Sequence, residues 1–398
     1  MNNKIAHSTQ PTVAEAVKEL QNQLNNEDTR LLLYFASPQY SAHELSEQMQ
    51  VAFPDTSVVG CTSSGELISG KMLDNSIVAM SFNSDLISEV QVDLVENISK
   101  DSQAVDKAFD RLAQQVGTPM DQLDPNQYVG IVLIDGMCGC EERVNERIGD
   151  LTNIAFIGGS AGDDLKFEKT HVYAQGRSYS DAAVLMLLKP THGFDILKTQ
   201  SFQDSGKVLV VTEHDEAKRE ISQFNNQPAA HAYAEALGVD KESLADNMFK
   251  SPLGLMLAED EPFVRSPRVV EGDKVLFYCN VKNGMELHLL ESTDIVEDTE
   301  IALRKKQQDN SVGAIINFNC ILRTLDLKQQ DRTQEYADLF TNIPTVGFST
   351  YGYSYLCHIN QTATMLLLNK AYDYIQAFLS TCYLNRNPFF SHFLTINS

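Results

Sequence analysis

A mixed α/β fold, in two domains whose mixed sheets are covered by helices, is what this sequence predicts. Short continuous apolar runs such as Leu31-Leu32-Leu33-Tyr34-Phe35-Ala36 suit strands covered on both faces. Three such runs are each followed by a helical segment and then by a second strand that ends in a turn of Gly, Ser and Thr. A strand-helix-strand-Gly unit repeated in this way implies parallel neighbours joined by crossover helices.

The elements follow in order. Thr12 with Glu15 forms a capping box, and Val13, Val17, Leu20 and Leu24 make the apolar face of the helix it opens. After a polar break from Asn25 to Thr29 come the run from Leu31, a helix from Ala42 to Val51, and the strand and turn Ser57-Val58-Val59-Gly60-Cys61-Thr62-Ser63-Ser64-Gly65-Glu66. The second copy has a strand from Tyr128 to Ile134 and a helix from Glu141 to Leu151. Its closing turn is Ala155-Phe156-Ile157-Gly158-Gly159-Ser160-Ala161-Gly162-Asp163-Asp164. The third has a strand from Val312 to Phe318, a helix from Asp331 to Phe340, and Thr345-Val346-Gly347-Phe348-Ser349-Thr350-Tyr351-Gly352. Between copies, alternating segments at Glu89–Val95, Lys207–Glu213, Lys274–Val281 and Glu286–Leu290 suit antiparallel strands with one wet face. Val105, Phe109, Leu112 and Val116 give an amphipathic helix within Asp101–Val116. The stretch from Gly193 to Asn226 is polar and weakly periodic, which puts the division between domains near residue 215.

The chain has 398 residues, more than one hydrophobic core usually supports, and its 43% hydrophobic and 21% charged residues describe a packed globular protein. The longest apolar stretches, Ala182–Leu188 and Thr364–Leu368, fall short of the roughly 20 residues of a bilayer span. The opening Met-Asn-Asn-Lys-Ile-Ala-His has no apolar signal core, so a cytoplasmic location is expected. The seven cysteines agree, reading as free thiols, and Cys138-Gly139-Cys140 lacks the second pair of a zinc site. A net charge of −23 repels nucleic-acid phosphates and anionic membrane surfaces, so neither is an expected partner.

Gly158-Gly159-Ser160-Ala161-Gly162 matches the G-x-S-x-G nucleophile elbow, but the strand-like Thr170-His171-Val172-Tyr173 stands close behind it, where an elbow needs a helix. No phosphate-binding glycine fingerprint occurs. With no complete catalytic set, the chain is expected not to be an enzyme. The turn residues Gly60, Thr62, Ser63, Gly65, Gly158, Gly159, Ser160, Gly347, Ser349 and Gly352 are instead the candidate ligand-binding set. Turns at strand ends present backbone N–H groups and hydroxyls where α/β sheets collect ligands. Asp135, Glu141, Glu142 and Arg143 are candidates for acid, base or ion pair. His358, in Cys357-His358-Ile359-Asn360, is placed to ligate haem iron, for which one neutral imidazole suffices.

These motifs together resemble the FIST family, with its N-terminal domain over 1–215, its C-terminal domain over 216–384, and a loosely patterned tail at 385–398. Asp135-Gly136 with Glu141-Glu142-Arg143, and Asn319-Cys320-Ile321-Leu322-Arg323, are most similar to the NosP branch of nitric-oxide-sensing haem proteins. The resemblance implies a sensor in bacterial signalling that binds haem b, with His358 as first and His192 as second candidate ligand. It would alter a partner histidine kinase or cyclic-di-GMP enzyme on binding nitric oxide. The alternative is a haem-free module for an amino acid or similar polar metabolite. A homodimer is a candidate assembly, and signal output is expected to pass to another protein.

Overall fold

The computed structural model describes residues 4–24, 28–258, 261–309, 311–355 and 357–371. The expected tail at 385–398 and the end of the second expected domain lie outside them.

The repeat is larger and more regular than the sequence indicates. Each copy runs strand, helix, strand, helix, strand, hairpin, strand. In the first copy the strands are Lys4–Ser8, Thr29–Ala36, Ser57–Thr62, the hairpin Glu66–Ile68 with Lys71–Leu73, and Ile77–Asn83. In the second they are Ile87–Glu96, Val129–Ile134, Phe156–Ser160, Val172–Ala174 with Arg177–Tyr179, and Ala182–Pro190. In the third they are Phe194–Gln200, Val312–Cys320, Thr345–Thr350, Tyr353–Tyr355 with Cys357–Ile359, and Thr362–Asn369. At the heart of each sheet two strands run parallel, as the crossover helices require.

Each hairpin leaves its own sheet. The first copy's hairpin pairs Leu67 with Gly347 of the third, the second copy's pairs Tyr173 with Gly60 of the first, and the third copy's pairs Tyr353 with Gly159 of the second. The exchange is cyclic, so three six-stranded sheets close into a ring. Strands from both sides of residue 215 are therefore hydrogen-bonded in the same sheets.

Alternate residues explain the apolar runs. Leu31, Leu33 and Phe35 face a central core with Ile131, Leu133, Ile316, Phe318 and Phe348 from the other sheets. Leu32, Tyr34 and Ala36 face outward onto the helices Val13–Leu24 and Ala42–Ala52. The first helix begins with the expected capping box, the Glu15 N–H donating to Thr12 Oγ1 at 3.3 Å and the Thr12 hydroxyl to Glu15 Oε2 at 2.6 Å. The third copy carries two short helices, Ile321–Gln329 and Thr333–Asp338, where the sequence suggests one from Asp331.

Residues 202–292, inserted after the third copy's first strand, hold a fourth sheet with its own core of Leu209, Ile221, Phe224, Tyr233, Phe277 and Leu289. Its first strand, Phe202–Asp215, contains the expected strand Lys207–Glu213 but begins earlier, and the following helix Ile295–Asp309 escapes the sequence pattern. In the helix the buried stripe passes from Ile295 through the polar Thr299 to Leu303, which blurs its periodicity.

Small residues are needed where the exchanged chains meet. A Cβ on Gly162 would lie 2.3 Å from Ser64 Oγ and 3.0 Å from the Ser64 backbone nitrogen, and one on Gly159 would lie 2.6 Å from Thr350 Cγ2. Gly162→Ala is expected to lower stability by about 1–3 kcal/mol, because the neighbouring backbone must shift to admit the methyl group. Urea unfolding followed by circular dichroism measures this, and an unchanged midpoint would contradict the close packing.

Candidate functional site

The three turns meet at one end of the ring. The Ser64 N–H donates to the Ser349 carbonyl at 3.2 Å and the Ser349 N–H to the Gly65 carbonyl at 2.8 Å. The Ser160 N–H donates to the Gly352 carbonyl at 2.6 Å, the Tyr351 N–H to the Ser160 carbonyl at 3.2 Å, and the Gly162 N–H to the Thr62 carbonyl at 3.0 Å. Thr62 exchanges hydrogen bonds with His171, and Ser349 Oγ lies 2.7 Å from Thr324 Oγ1. The Ser63 hydroxyl donates to Glu66. Gly60, Gly158 and Gly347 lie within paired strands just before the turns. The candidate turn residues thus converge, but their polar groups are largely committed to one another. They form a seam.

Beside that seam lies a cavity of about 660 Å³. Its walls come from the residues that follow strand ends: Gly136, Met137, Gly139 and Glu141 after Val129–Ile134; Leu165 and Phe167 after the second turn; Ile321, Leu322 and Leu325 after Val312–Cys320; and Tyr351 and Asn360. This is the carboxyl end of parallel strands, where open α/β sheets place ligands. The inserted sheet closes the remaining side with Arg219, Arg268 and Tyr278.

The flap over the cavity is held by Asp163. Its carboxylate accepts from the backbone N–H groups of Phe167, Glu168 and Lys169 and from the Tyr351 hydroxyl. Burial opposes ionisation of Asp163, but these donors outweigh it and keep the carboxyl below its ordinary range. Asp164, Leu165 and Phe167 all have positive φ, a costly backbone conformation for such residues, and Leu165 and Phe167 are 39% and 51% exposed. Phe167 stacks on Tyr351 with ring centroids 4.9 Å apart.

Glu141 and Glu142 open the helix Glu141–Leu151 and divide the work. Glu142 accepts from Arg219 Nη2 at 2.7 Å and from the Asn280 N–H at 3.1 Å, while Arg219 Nη1 donates to the Tyr278 carbonyl at 2.8 Å. These bonds clamp the inserted sheet to the second copy. Glu141 is buried, accepts from the Ser160 hydroxyl at 3.4 Å through Oε1, and leaves Oε2 without a hydrogen-bond partner. Burial pushes its carboxyl up to about 7. Asp135 is absorbed into structure, accepting from the Met137 N–H at 3.0 Å, from Thr170 and from the Asp181 N–H. Arg143 Nη2 rests 3.6 Å from Cys140 Sγ.

The two histidine candidates part company. His192 is exposed in the turn beyond Pro190, the far end of a strand whose start adjoins Asp135, so about 25 Å of strand separates it from the cavity. His358 lies in the exchanged strand Cys357–Ile359, beside the helix Glu141–Leu151 and two residues before Asn360 of the cavity wall. Its side chain lies outside the described residues. Arg219, Arg268 and Tyr278 are site residues that sequence reasoning missed, since nothing local distinguishes them in the insertion. Part of the rest was signalled by the motifs that carry the family resemblance, which supply Gly136, Glu141, Ile321, Leu322 and Tyr351.

Ser160 is not set up as a nucleophile. Its side chain is buried, the N–H groups of residues 160, 161 and 162 all donate to backbone carbonyls, and a strand follows the turn, so no oxyanion site faces it. A walled cavity at strand ends, with Glu142, Arg219 and Asp163 engaged in holding its walls, is the geometry of a small-molecule binding site. Residues 30–227 match the FIST N domain and residues 229–353 the FIST C domain, and the chain belongs to the FIST family. FIST domains are small-ligand sensory domains of signalling proteins, sensory rather than catalytic. The chain is also similar to an uncharacterized protein of Methanocaldococcus jannaschii, 22% identical over 198 residues, which are 49% of this chain and 38% of that protein. It thus spans well under two thirds of that relative's length. Among the described residues no helix is long and apolar enough to cross a membrane.

The first turn also contains a buried acid. Glu66 accepts from the hydroxyls of Ser63 and Ser76, and burial pushes its carboxyl from 4.5 up to about 8. The folded state therefore holds a proton that the unfolded state releases at lower pH. The stability so contributed is complete below about 4.5 and is lost as pH rises through about 8. Between these limits, stability of the parent relative to Glu66→Gln is expected to fall by a few kcal/mol, read from urea unfolding at several pH values. A pH-independent difference would refute the buried neutral acid.

Proposed function

We propose that this protein senses nitric oxide through haem b held in the cavity and passes the signal to a partner histidine kinase or cyclic-di-GMP enzyme. The observation that carries the reading is the cavity itself: about 660 Å³, apolar on most sides and cationic on the remaining one. That volume lies within the range of roughly 300–1,000 Å³ typical of small-molecule and cofactor sites. Met137, Leu165, Phe167, Ile321, Leu322 and Leu325 offer an apolar lining that would exclude water from a flat hydrophobic ring. Arg268 and Arg219 stand where anionic substituents would be neutralised. The described lining residues include no imidazole, and His358 is the residue assigned to the iron. Haem iron, when bound, supplies the position that a diatomic gas occupies.

The residues around the cavity also offer a route for a signal. A change at the wall would be felt by the Glu142–Arg219 clamp and by the Asp163–Tyr351 flap, two contacts able to favour different arrangements of the inserted sheet.

Haem titration of the purified protein, followed by absorption, tests the reading. A Soret band at one equivalent is expected, shifted by nitric oxide and altered in His358→Ala. No Soret band would end the haem reading, and an unaltered one in His358→Ala would end the ligand assignment. The second reading is a haem-free module for an amino acid or polar metabolite. It is favoured by the polar sector of Glu141, Arg268 and Asn360 in the same wall. A metabolite at a hundredfold excess over its Kd would then raise stability by roughly 2.7 kcal/mol in a thermal-shift panel.

A further inference from the structure

Two helices, Glu141–Leu151 and Ile321–Gln329, begin at the cavity; neither is capped by an oxygen of the residue before it, the first turn of one meeting the Glu141 carboxylate and that of the other the Cys320 thiol. Helix N-termini carry a partial positive charge and more N–H groups than one side chain can satisfy. On its own this would be unremarkable helix anatomy. Two further observations point to an occupant. Glu141, 95% buried by its 5% exposure, lines the cavity, and its Oε2 has no hydrogen-bond partner, only Arg219 Nη2 at 3.8 Å; a buried carboxyl oxygen without a hydrogen bond is costly unless something arrives to bond it. Arg268, which lines the same cavity from the inserted sheet, is exposed and makes no ion pair among the described residues, whereas Arg219 is committed to Glu142.

We infer that the cavity receives a carboxylate of its ligand between Arg268 and the first turn of the helix Glu141–Leu151, with Glu141 sharing a proton with it. The inference deepens the proposed function and rests on its cavity, but not on haem: a propionate of haem and the carboxylate of a metabolite present the same chemistry. A protonated Glu141 donates from Oε2 to the ligand oxygen, which an ionised one would repel. The groups facing Glu141 support that assignment. Burial and the neighbouring Glu142 discourage its ionisation, whereas its own backbone N–H, Arg219 at 3.8 Å and Ser160 on Oε1 favour it; Arg219 is already shared with Glu142. The raised carboxyl places the change of protonation near neutral pH.

The test uses the full chain and two pairs of probes: haemin with its dimethyl ester, and 1-naphthoate with 1-naphthamide. In at least one pair the acid is expected to bind about tenfold or more tightly than its neutral partner. That preference should disappear in Arg268→Ala, whose exposed position spares the fold. In Glu141→Gln, the weakening of acid binding between about pH 6 and about pH 8 should be lost. If haemin fails to bind while naphthoate keeps its preference, the haem reading falls and the carboxylate site stands. If haemin and its ester bind equally and naphthoate shows no preference over naphthamide, the carboxylate site falls and the haem reading stands. If neither acid binds, both fall.

Discussion

Five backbone hydrogen bonds at the ends of three strands hold this architecture closed. When the Ser64 N–H reaches the Ser349 carbonyl and the Ser160 N–H reaches that of Gly352, the chain leaves one sheet and enters the next. Backbone donors and acceptors buried in this way must be paired, so the exchange cannot be partly made. Gly159 and Gly162 are small because a neighbouring strand or turn stands where their side chains would be. The turns that looked like a cradle for a ligand are a cradle for one another, and the cavity forms because three strand ends are gathered at one place.

The inserted sheet turns that gathering point into a site. Without Arg219, Arg268 and Tyr278 the cavity would be an apolar trough bordered by acids, in a chain whose net charge is already −23. Arg219 is spent on structure, tying Glu142 to the Tyr278 carbonyl, whereas Arg268 remains available. The walls thus combine a large apolar area with a few placed polar groups, the mixture by which small-molecule sites gain both affinity and orientation. Leu165 and Phe167 remain unusually exposed for their type and sit on strained backbone. Such strain persists only where surrounding contacts fix it, here the bonds to Asp163 and Tyr351.

Much of the fold was legible because local pattern and global position agree. Leu31 to Ala36 reads as a strand covered on both faces because alternate residues do enter two cores. Thr12 and Glu15 mark a helix start by direct hydrogen bonds. What was not legible depends on partners distant in sequence. Nothing within Ile295–Asp309 announces a helix strongly, because Thr299 interrupts its apolar stripe, and the alternation at Lys207–Glu213 does not extend to the polar start of the strand Phe202–Asp215. The exchange of hairpins leaves no local trace, since Tyr353 pairs with Gly159 only through the closed ring. The same holds for the site: the motif segments supply half of its wall, and its cations arrive from an insertion without a motif.

The cyclic exchange has a consequence for synthesis on the ribosome. Glu66–Ile68 is made early, yet its partner Thr345–Thr350 emerges nearly three hundred residues later, and Phe156–Ser160 likewise awaits Tyr353–Tyr355. Until then the nascent first and second copies carry unpaired sheet edges, the feature that most readily recruits other strands and promotes aggregation. Long-range pairings of this kind also make folding slow. The ring can therefore close only after the third copy's strands have emerged, and until then the growing polypeptide carries open edges.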